Sequence, residues 1–434
     1  MNLAFKYPII FWNTACLIAD SGGAENNGEG NNDYDKIAKA LNKMQMAGVN
    51  IALPDINKSQ YTYEPNVQEN KIYIGFRGLL NVGEEVITSI LNNRPYEDFS
   101  DFLHKVPANK SAIISLIKSG AFDSFGERQQ IMASYIWMTC GKKNKLNLQN
   151  MATLLKRNLI PSQLDYQRSV YEFNRYLKDV CRGSEREFKL DDRAMRFLNN
   201  NHSDLILSHD NEYWLNKKVW DKVYQAVMNA VREYLKTNQE SMVYQLNKEI
   251  FLEDWKKYAT GSYSTWEMEV MCYYYHDHEL KNVNKRQYGI DNFFDLPEEP
   301  IVSYTFHKKG ADIPIYKLNR ICGTVIAKNK AKGDISLLTT EGVVRVWFRK
   351  EYFALFDKQI SIRGEDNVKH VVEKSWFNRG SMLMIIGIRR GDEFIPKKYA
   401  STPGHQLYRI TEVKKDGTLV LQSERAKGES EEEE

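Results

Sequence analysis

GLLNVGEEV, residues 78–86, reads as two short helical halves around a tight middle. Such a stretch is either a turn between two core helices or a grip in which exposed backbone amides donate to successive phosphates. In a grip, the second helix presents its positive N-terminal end to the same anion. Gly83 stands at the second turn position, where glycine permits close approach and positive φ. The first position is Asn81, the non-glycine residue type that best tolerates the left-handed region. Gly78 opens the stretch, Arg77 precedes it, and Thr88 and Arg94 follow as phosphate partners. A second stretch, PANKSAIISLIKSGAFDSFG (107–126), allows a helix from Asn109 or Lys110. It would carry Ile113, Ile114, Leu116 and Ile117, with Lys110 and Lys118 as its cations. Each stretch alone also reads as packing between core helices.

Upstream, residues 5–20 read as an apolar helix and 21–32 (SGGAENNGEGNN) as a flexible loop. A helix is expected from Asp35 to Ala47, with Ile37, Ala40, Leu41 and Met44 at helical spacing, then a brief strand at KIYIGF. Residues 127–285 read as mostly helical. There Val219, Val223, Val227, Val231 and Leu235 form an expected core stripe. DLPEEP (295–300) marks a boundary, beyond which short β runs with Gly, Asp and Asn turns predict an OB-type barrel with extra strands. The expected class is multidomain α+β, helical first and a β-barrel last. The expected divisions are 1–70, 71–130, 131–295, 296–425, and a disordered acidic tail at 426–434.

Hydrophobic content of 42% and charged content of 27% suit a globular protein with several cores in 434 residues. Net charge is only +3, so nucleic-acid affinity must come from local patches. The barrel region supplies one: 23 Lys and Arg against 13 Asp and Glu between 301 and 425. Five scattered cysteines with no CxxC pair argue against a disulfide framework or a zinc site. The apolar start is broken by Asn13 and Thr14, unlike a signal peptide, and no run reaches the ~18 apolar residues of a membrane span. The expected setting is cytoplasmic, without membrane association.

OB barrels hold single strands in a basic groove with aromatic platforms. Alternation along VVRVWF places Arg345, Trp347 and Arg349 on one face and Val344, Val346 and Phe348 on the other. Trp347 is then either a platform between two arginines or a cap on the barrel end. Lys328, Lys330 and Lys332 fall in an expected loop, as phosphate ligands or as a solvated turn. His276, Asp277 and His278 are neighbours in sequence and would diverge, so they are not read as a metal site.

In order, KYPIIFW (6–12), MQMAGV (44–49), LPDINKSQYTY (53–63), YIGFRGLLNVGEEV (73–86), FSDF (99–102) and LIKSGAFDSFGERQQ (116–130) resemble the bacterial C-family DNA polymerase III alpha subunit. The resemblance runs from the end of the fingers through the tandem hairpins. WEMEVMCYYYHDHEL (266–280) resembles the stretch leading into that family's OB domain, and the basic barrel at about 315–399 falls where the OB domain belongs. Residues 1–130 and 255–400 are covered; 135–255 do not align. Asn81 replaces a family glycine, Glu279 a proline, and loop 21–32 looks inserted.

The resemblance implies a DNA-binding portion of a replicative polymerase, split as in phages. The palm carboxylates and their two Mg²⁺ ions, about 4 Å apart in such sites, and the metallophosphoesterase-like region are implied on a second polypeptide. Asp33 and Asp35 flank too soft a loop to hold such ions. The resemblance also places a sliding-clamp peptide near QLNKEIF, with Gln245 for a polar cleft and Ile250 and Phe251 for an apolar pocket. The alternative reading is a stand-alone DNA-binding scaffold.

Overall fold

The computed structural model describes residues 9–20, 34–209, 211–308, 311–363 and 369–427. The expected loop 21–32, Asp33 and residues 428–434 of the expected tail 426–434 lie outside them. The chain forms two compact units, one from residues 1–132 with 261–434 and one from 133–260. The expected hairpin and barrel divisions therefore share a unit, and residues 261–295 fold with them.

The first unit begins with α1 (Ile9–Asp20) and α2 (Tyr34–Met46). Three short strands, β1 (Asn50–Ala52), β2 (Glu64–Asn66) and β3 (Lys71–Tyr73), pair in the order β1-β3-β2. Phe76–Gly78 is a single 3-10 turn, so the first half of the opening stretch is not the helix that its sequence suggested. The amides of Phe76 and Arg77 donate to the carbonyls of Gln60 and Tyr61, and this tie holds the chain extended until the turn itself. Three helices follow: α3 (Glu84–Asn92), α4 (Phe99–Lys105) and α5 (Lys110–Lys118). Phe122 meets Phe99 and Phe102 edge-on, with ring centroids 4.9 and 4.8 Å apart. Such T-shaped pairs add to area burial and lock α4 against the chain after α5.

Helix α6 (Arg128–Thr139) begins in the first unit and ends in the second. The second unit contains α7 (Met151–Lys156), α8 (Asp165–Asp179), β4 (Glu187–Lys189), α9 (Asp192–Asn201), β5 (Ile206–His209), β6 (Glu212–Asn216), α10 (Lys217–Thr237) and α11 (Gln239–Tyr258). Its core corrects the expected valine stripe. On α10 the buried residues are Trp220, Tyr224, Met228, Val231 and Leu235, while Val219 is exposed. Trp, Tyr and Met each remove more apolar area from water than valine, so the helix turns their face inward.

The first unit resumes with α12 (Tyr263–Met271) and α13 (Lys285–Tyr288). Strands β7 (Val302–Lys308) and β8 (Ala311–Tyr316) pair only with each other. Then come β9 (Asn319–Asn329), β10 (Asp334–Leu338), β11 (Val343–Trp347), α14 (Lys350–Asp357), β12 (Ile360–Arg363), β13 (Lys369–Glu373), β14 (Met382–Arg390), β15 (Glu393–Pro396), β16 (Leu407–Val413) and β17 (Leu419–Gln422). Five strands close in the order β9-β10-β11-β15-β14 and back to β9, and β16-β17 extend the sheet. The β11–β15 pair is parallel and the rest of the ring antiparallel. This is the expected OB-type barrel. Inside it, Ile335, Leu337, Val344, Val346, Phe348, Leu383, Ile385 and Phe394 form one core, as alternation along VVRVWF predicted. On the outside, Ile326 and Leu338 pack with Ala38 of α2, Met268 of α12 and Tyr274, which seats the barrel on the helical part of its own unit.

Candidate nucleic-acid interface

At the opening stretch, the positive φ belongs to Asn81 (63°), and its side-chain amide donates to Ser115 Oγ at 3.3 Å. Gly83 is instead extended (φ −76°, ψ 164°) and stands as the N-cap of α3. A Cβ built there meets no atom within 4 Å, so the fold itself does not demand glycine at 83. Ile87 donates back to the Gly83 carbonyl, but Gly83 offers no side chain to the amides of Glu84, Glu85 and Val86. These are the orphan donors of a helix N-terminus, facing an open groove lined by Thr88, Ser89, Asn92, Asn93 and Asn109. Glu84 and Glu85 suit the positive helix end, and a phosphate bound there would share it with them.

The cations assigned to this region are mostly committed elsewhere. Arg94 donates from Nε to the Ile56 carbonyl at 2.7 Å and from Nη2 to the Ser59 carbonyl, and it lies over the Phe76 ring. It clamps one loop to another, which corrects its reading as a phosphate partner. Lys118 is nearly buried and paired with Glu269, so it too is withdrawn from the phosphate set. Arg77 lies beside the Tyr61 ring, Gly78 is buried under the Tyr63 hydroxyl, and Thr88 is exposed on the groove. In the second stretch, Asn109 caps α5 by accepting from Ala112 N at 2.9 Å. All of 112–118 is buried, and Lys110 at the helix start is half-buried. This hairpin is chiefly a packing element.

On the barrel, Arg345 is a cross-strand tie. Its Nε donates to Asp334 Oδ2 at 2.9 Å and its Nη1 lies 2.9 Å from Glu393 Oε1, so β10, β11 and β15 are pinned together. Lys328 reaches Asp357 at 2.5 Å and Asn378, and Lys330 reaches Asp357 at 3.4 Å. Arg345 and Lys328 are therefore corrected from strand-binding to structural roles, because each already faces a carboxylate. Lys332 and Arg349 are exposed and carry no ion pair among the described residues; Trp347 is exposed between them. The β9–β10 turn and the end of β11 meet where Phe348 N donates to the Gly333 carbonyl. Lys332, Trp347 and Arg349 thus share one rim of the barrel, with Lys350 beside them. Gln245, Ile250 and Phe251 all lie inside α11. Ile250 packs on the core, and Phe251 meets Trp137 and Trp255. An extended clamp peptide would require that helix to unwind, which corrects the QLNKEIF reading.

Sequence reasoning missed a buried polar centre that ties α5 and α6 to α12 and the segment after it. Glu267 is fully buried and accepts from Arg128 Nη1 at 3.1 Å, His276 Nδ1 at 2.6 Å, and the amides of Tyr275 and His276. Arg128 also holds Asp123 at 2.6 Å and the Lys118 carbonyl at 3.1 Å. Glu279, the departure from the family proline, accepts from the hydroxyls of Thr265 at 2.7 Å and Tyr274 at 3.1 Å.

His278 has a fixed tautomer. The Leu338 carbonyl can only accept, so Nε2 carries the proton and donates at 3.0 Å, while Nδ1 accepts from Leu280 N. Burial lowers its pKa to about 4, against the ordinary 6.5. The folded form thus disfavours protonation. This contribution is fully present above pH 6.5, falls as the pH drops, and is lost below about pH 4, a change of about 3 kcal/mol. Urea midpoints of the wild type and His278→Gln should converge as pH falls from 7 to 4; parallel curves would refute this assignment. No group of three or more His, Cys, Asp or Glu able to hold a metal ion occurs among the described residues. No described helix is long and apolar enough to cross a membrane.

The fold and these sites define a helix-hairpin-helix and OB-barrel protein. A family model described as a helix-hairpin-helix motif matches residues 48–131. Over 98% of its length the chain is 36% identical to the probable DNA polymerase YorL of Bacillus subtilis, and equally to the DNA-directed DNA polymerase of Bacillus phage SPbeta. It spans about a third (34%) of the length of either. The DNA polymerase III subunit alpha of Thermus aquaticus is 35% identical over 109 residues, 24% of this chain and 9% of that protein. The chain is thus similar along nearly its whole length to a portion of these phage-type DNA polymerases, and over about a quarter of it to the polymerase III alpha subunit. Coverage of 98% also brings the helical unit 133–260 into the phage-type match, whereas the Thermus match spans only a quarter of the chain.

Proposed function

We propose that this portion holds DNA for a replicative C-family polymerase. α3 grips the backbone of the product duplex, and the Lys332–Trp347–Arg349 rim receives the unpaired template. The observation that carries this reading is the uncapped start of α3 behind Gly83, where the fold leaves space that a side chain would fill without strain. The similar DNA polymerases of Bacillus subtilis and phage SPbeta, about three times longer, support it. The palm carboxylates and their Mg²⁺ belong, in this proposal, to a partner polypeptide that also carries the metallophosphoesterase-like region. A sliding-clamp contact through Gln245 has no part in it.

Gly83→Val separates the two readings of the opening stretch. Val suits the extended backbone, so stability should stay within about 1 kcal/mol of wild type. Duplex affinity should fall about tenfold or more, because amide bonds to a charged partner are worth about 1.5–3 kcal/mol. Unchanged affinity in fluorescence anisotropy would reduce α3 to a structural turn. Primer extension with Mg²⁺ and dNTPs then tests the division of labour. Extension by this chain alone would overturn the placement of the metals, and failure to stimulate a co-purifying palm chain would favour the scaffold reading.

A further inference from the structure

Strands β7 and β8 form a ribbon that joins no other sheet. Its register pairs Tyr304 with Ile315 and Phe306 with Ile313 on one face, and Thr305 with Pro314 and His307 with Asp312 on the other. The second face carries a cross-strand hydrogen bond, His307 Nδ1 to Asp312 Oδ1 at 2.7 Å. The first is apolar and uncovered: Tyr304 is 57% exposed, Phe306 52% and Ile313 42%. An isolated two-stranded ribbon is only marginally stable in water, and burying this face would remove two aromatic rings from solvent.

The charges at the ribbon's root indicate what covers it. Tyr316 lies beside two cations, Lys397 at 4.8 Å and Arg390 at 5.9 Å from its ring, and Lys397 also reaches the Tyr399 ring at 5.4 Å. Lys317 is exposed next in sequence. Exposed rings ahead of a cationic root complement a ligand with flat apolar faces strung on an anionic backbone. That is the chemistry of a single nucleic-acid strand.

We propose that the β7–β8 ribbon is a base-stacking finger, with Tyr304 and Phe306 inserting against unpaired bases while Lys397, Arg390 and Lys317 meet the phosphates. It is a site separate from the Trp347 rim, and it rests on the reading that this portion binds DNA. The test uses the full chain with a fluorescein-labelled oligothymidine for affinity and a bromodeoxyuridine-substituted strand for crosslinking. Because both rings are exposed, Tyr304→Ser/Phe306→Ser should leave the circular dichroism and the duplex affinity unchanged. Single-strand affinity should fall about tenfold or more, at about 1–3 kcal/mol per stacked base. Tyr304→Trp/Phe306→Trp should retain it, and wild-type crosslinks should map to 304–306.

Affinity within about twofold of wild type, with crosslinks confined elsewhere, would overturn the finger. So would loss of self-association in light scattering for the serine variant without loss of strand binding, which would mark a protein-docking face. If Trp347→Ala weakens strand binding while the serine variant does not, the finger falls and the rim stands. If the wild type binds no single strand, the underlying reading falls as well.

Discussion

Arg128→Met is expected to destabilise the hairpin-and-barrel unit by about 3–5 kcal/mol, the usual cost of leaving one partner of a buried ion pair uncompensated. Arg128 is 1% and Glu267 0% exposed in their side chains, so neither charge has water to fall back on. Methionine fills a similar volume, which isolates the charge from the cavity. The other carboxylate, Asp123, is 41% exposed, so Asp123→Asn should cost only about 1 kcal/mol or less. Arg128→Met/Glu267→Gln should recover part of the loss. The glutamine oxygen still accepts from the Tyr275 and His276 amides but carries no charge needing a partner. Amide exchange in α5 and α12 is the readout, because Arg128 ties the Lys118 carbonyl at the end of one to Glu267 on the other. An Arg128→Met variant within about 1 kcal/mol of wild type, or perfect additivity in the double variant, would refute the pair's role.

How much of this was legible beforehand follows from what local sequence can encode. Asn81 announced its left-handed backbone because that preference belongs to the residue itself, and the structure gives φ 63°. The inward faces of β10 and β11 were readable because a strand has period two and the hydrophobic set is unambiguous. On α10, by contrast, two overlapping apolar stripes compete at helical spacing, and the larger side chains take the core. Charged residues were the least legible. Arg94, Lys118, Lys328 and Arg345 looked like a phosphate-binding set, yet their acceptors lie on distant segments, up to 151 residues away for Lys118 and Glu269. A cation's sequence neighbours do not reveal whether the fold brings a carboxylate to it. Arg128 was invisible for the same reason: LIKSGAFDSFGERQQ shows the arginine, but Glu267 comes 139 residues later in the chain.

Gly387→Ala is expected to open the barrel at its closing seam. Gly387 lies on β14 opposite Asn319 of β9 on one side and Pro396 of β15 on the other. A Cβ there would stand 2.2 Å from the Ile395 carbonyl oxygen and 2.9 Å from the Phe394 ring. The first obstacle is backbone, which cannot rotate away, so the β14–β15 pairing must shift. Overpacking of this kind costs about 1–3 kcal/mol and more where backbone must move. The consequence reaches the rim through β15. That strand pairs in parallel with β11, and its Glu393 holds the Arg345 that ties β10 to β11. Loosening β15 therefore releases the strand that ends at Trp347. Amide exchange at Phe394 and Ile395 should accelerate, and single-strand affinity should drop while duplex binding at α3 is retained. Gly391→Ala makes the control: it lies in the adjoining β14–β15 turn, where a Cβ meets nothing within 4 Å, so its cost is confined to its positive φ of 54°. If both variants lose strand affinity equally while exchange at Phe394 stays slow in each, the seam does not support the rim, and Trp347 is held by the β10–β11 pair alone.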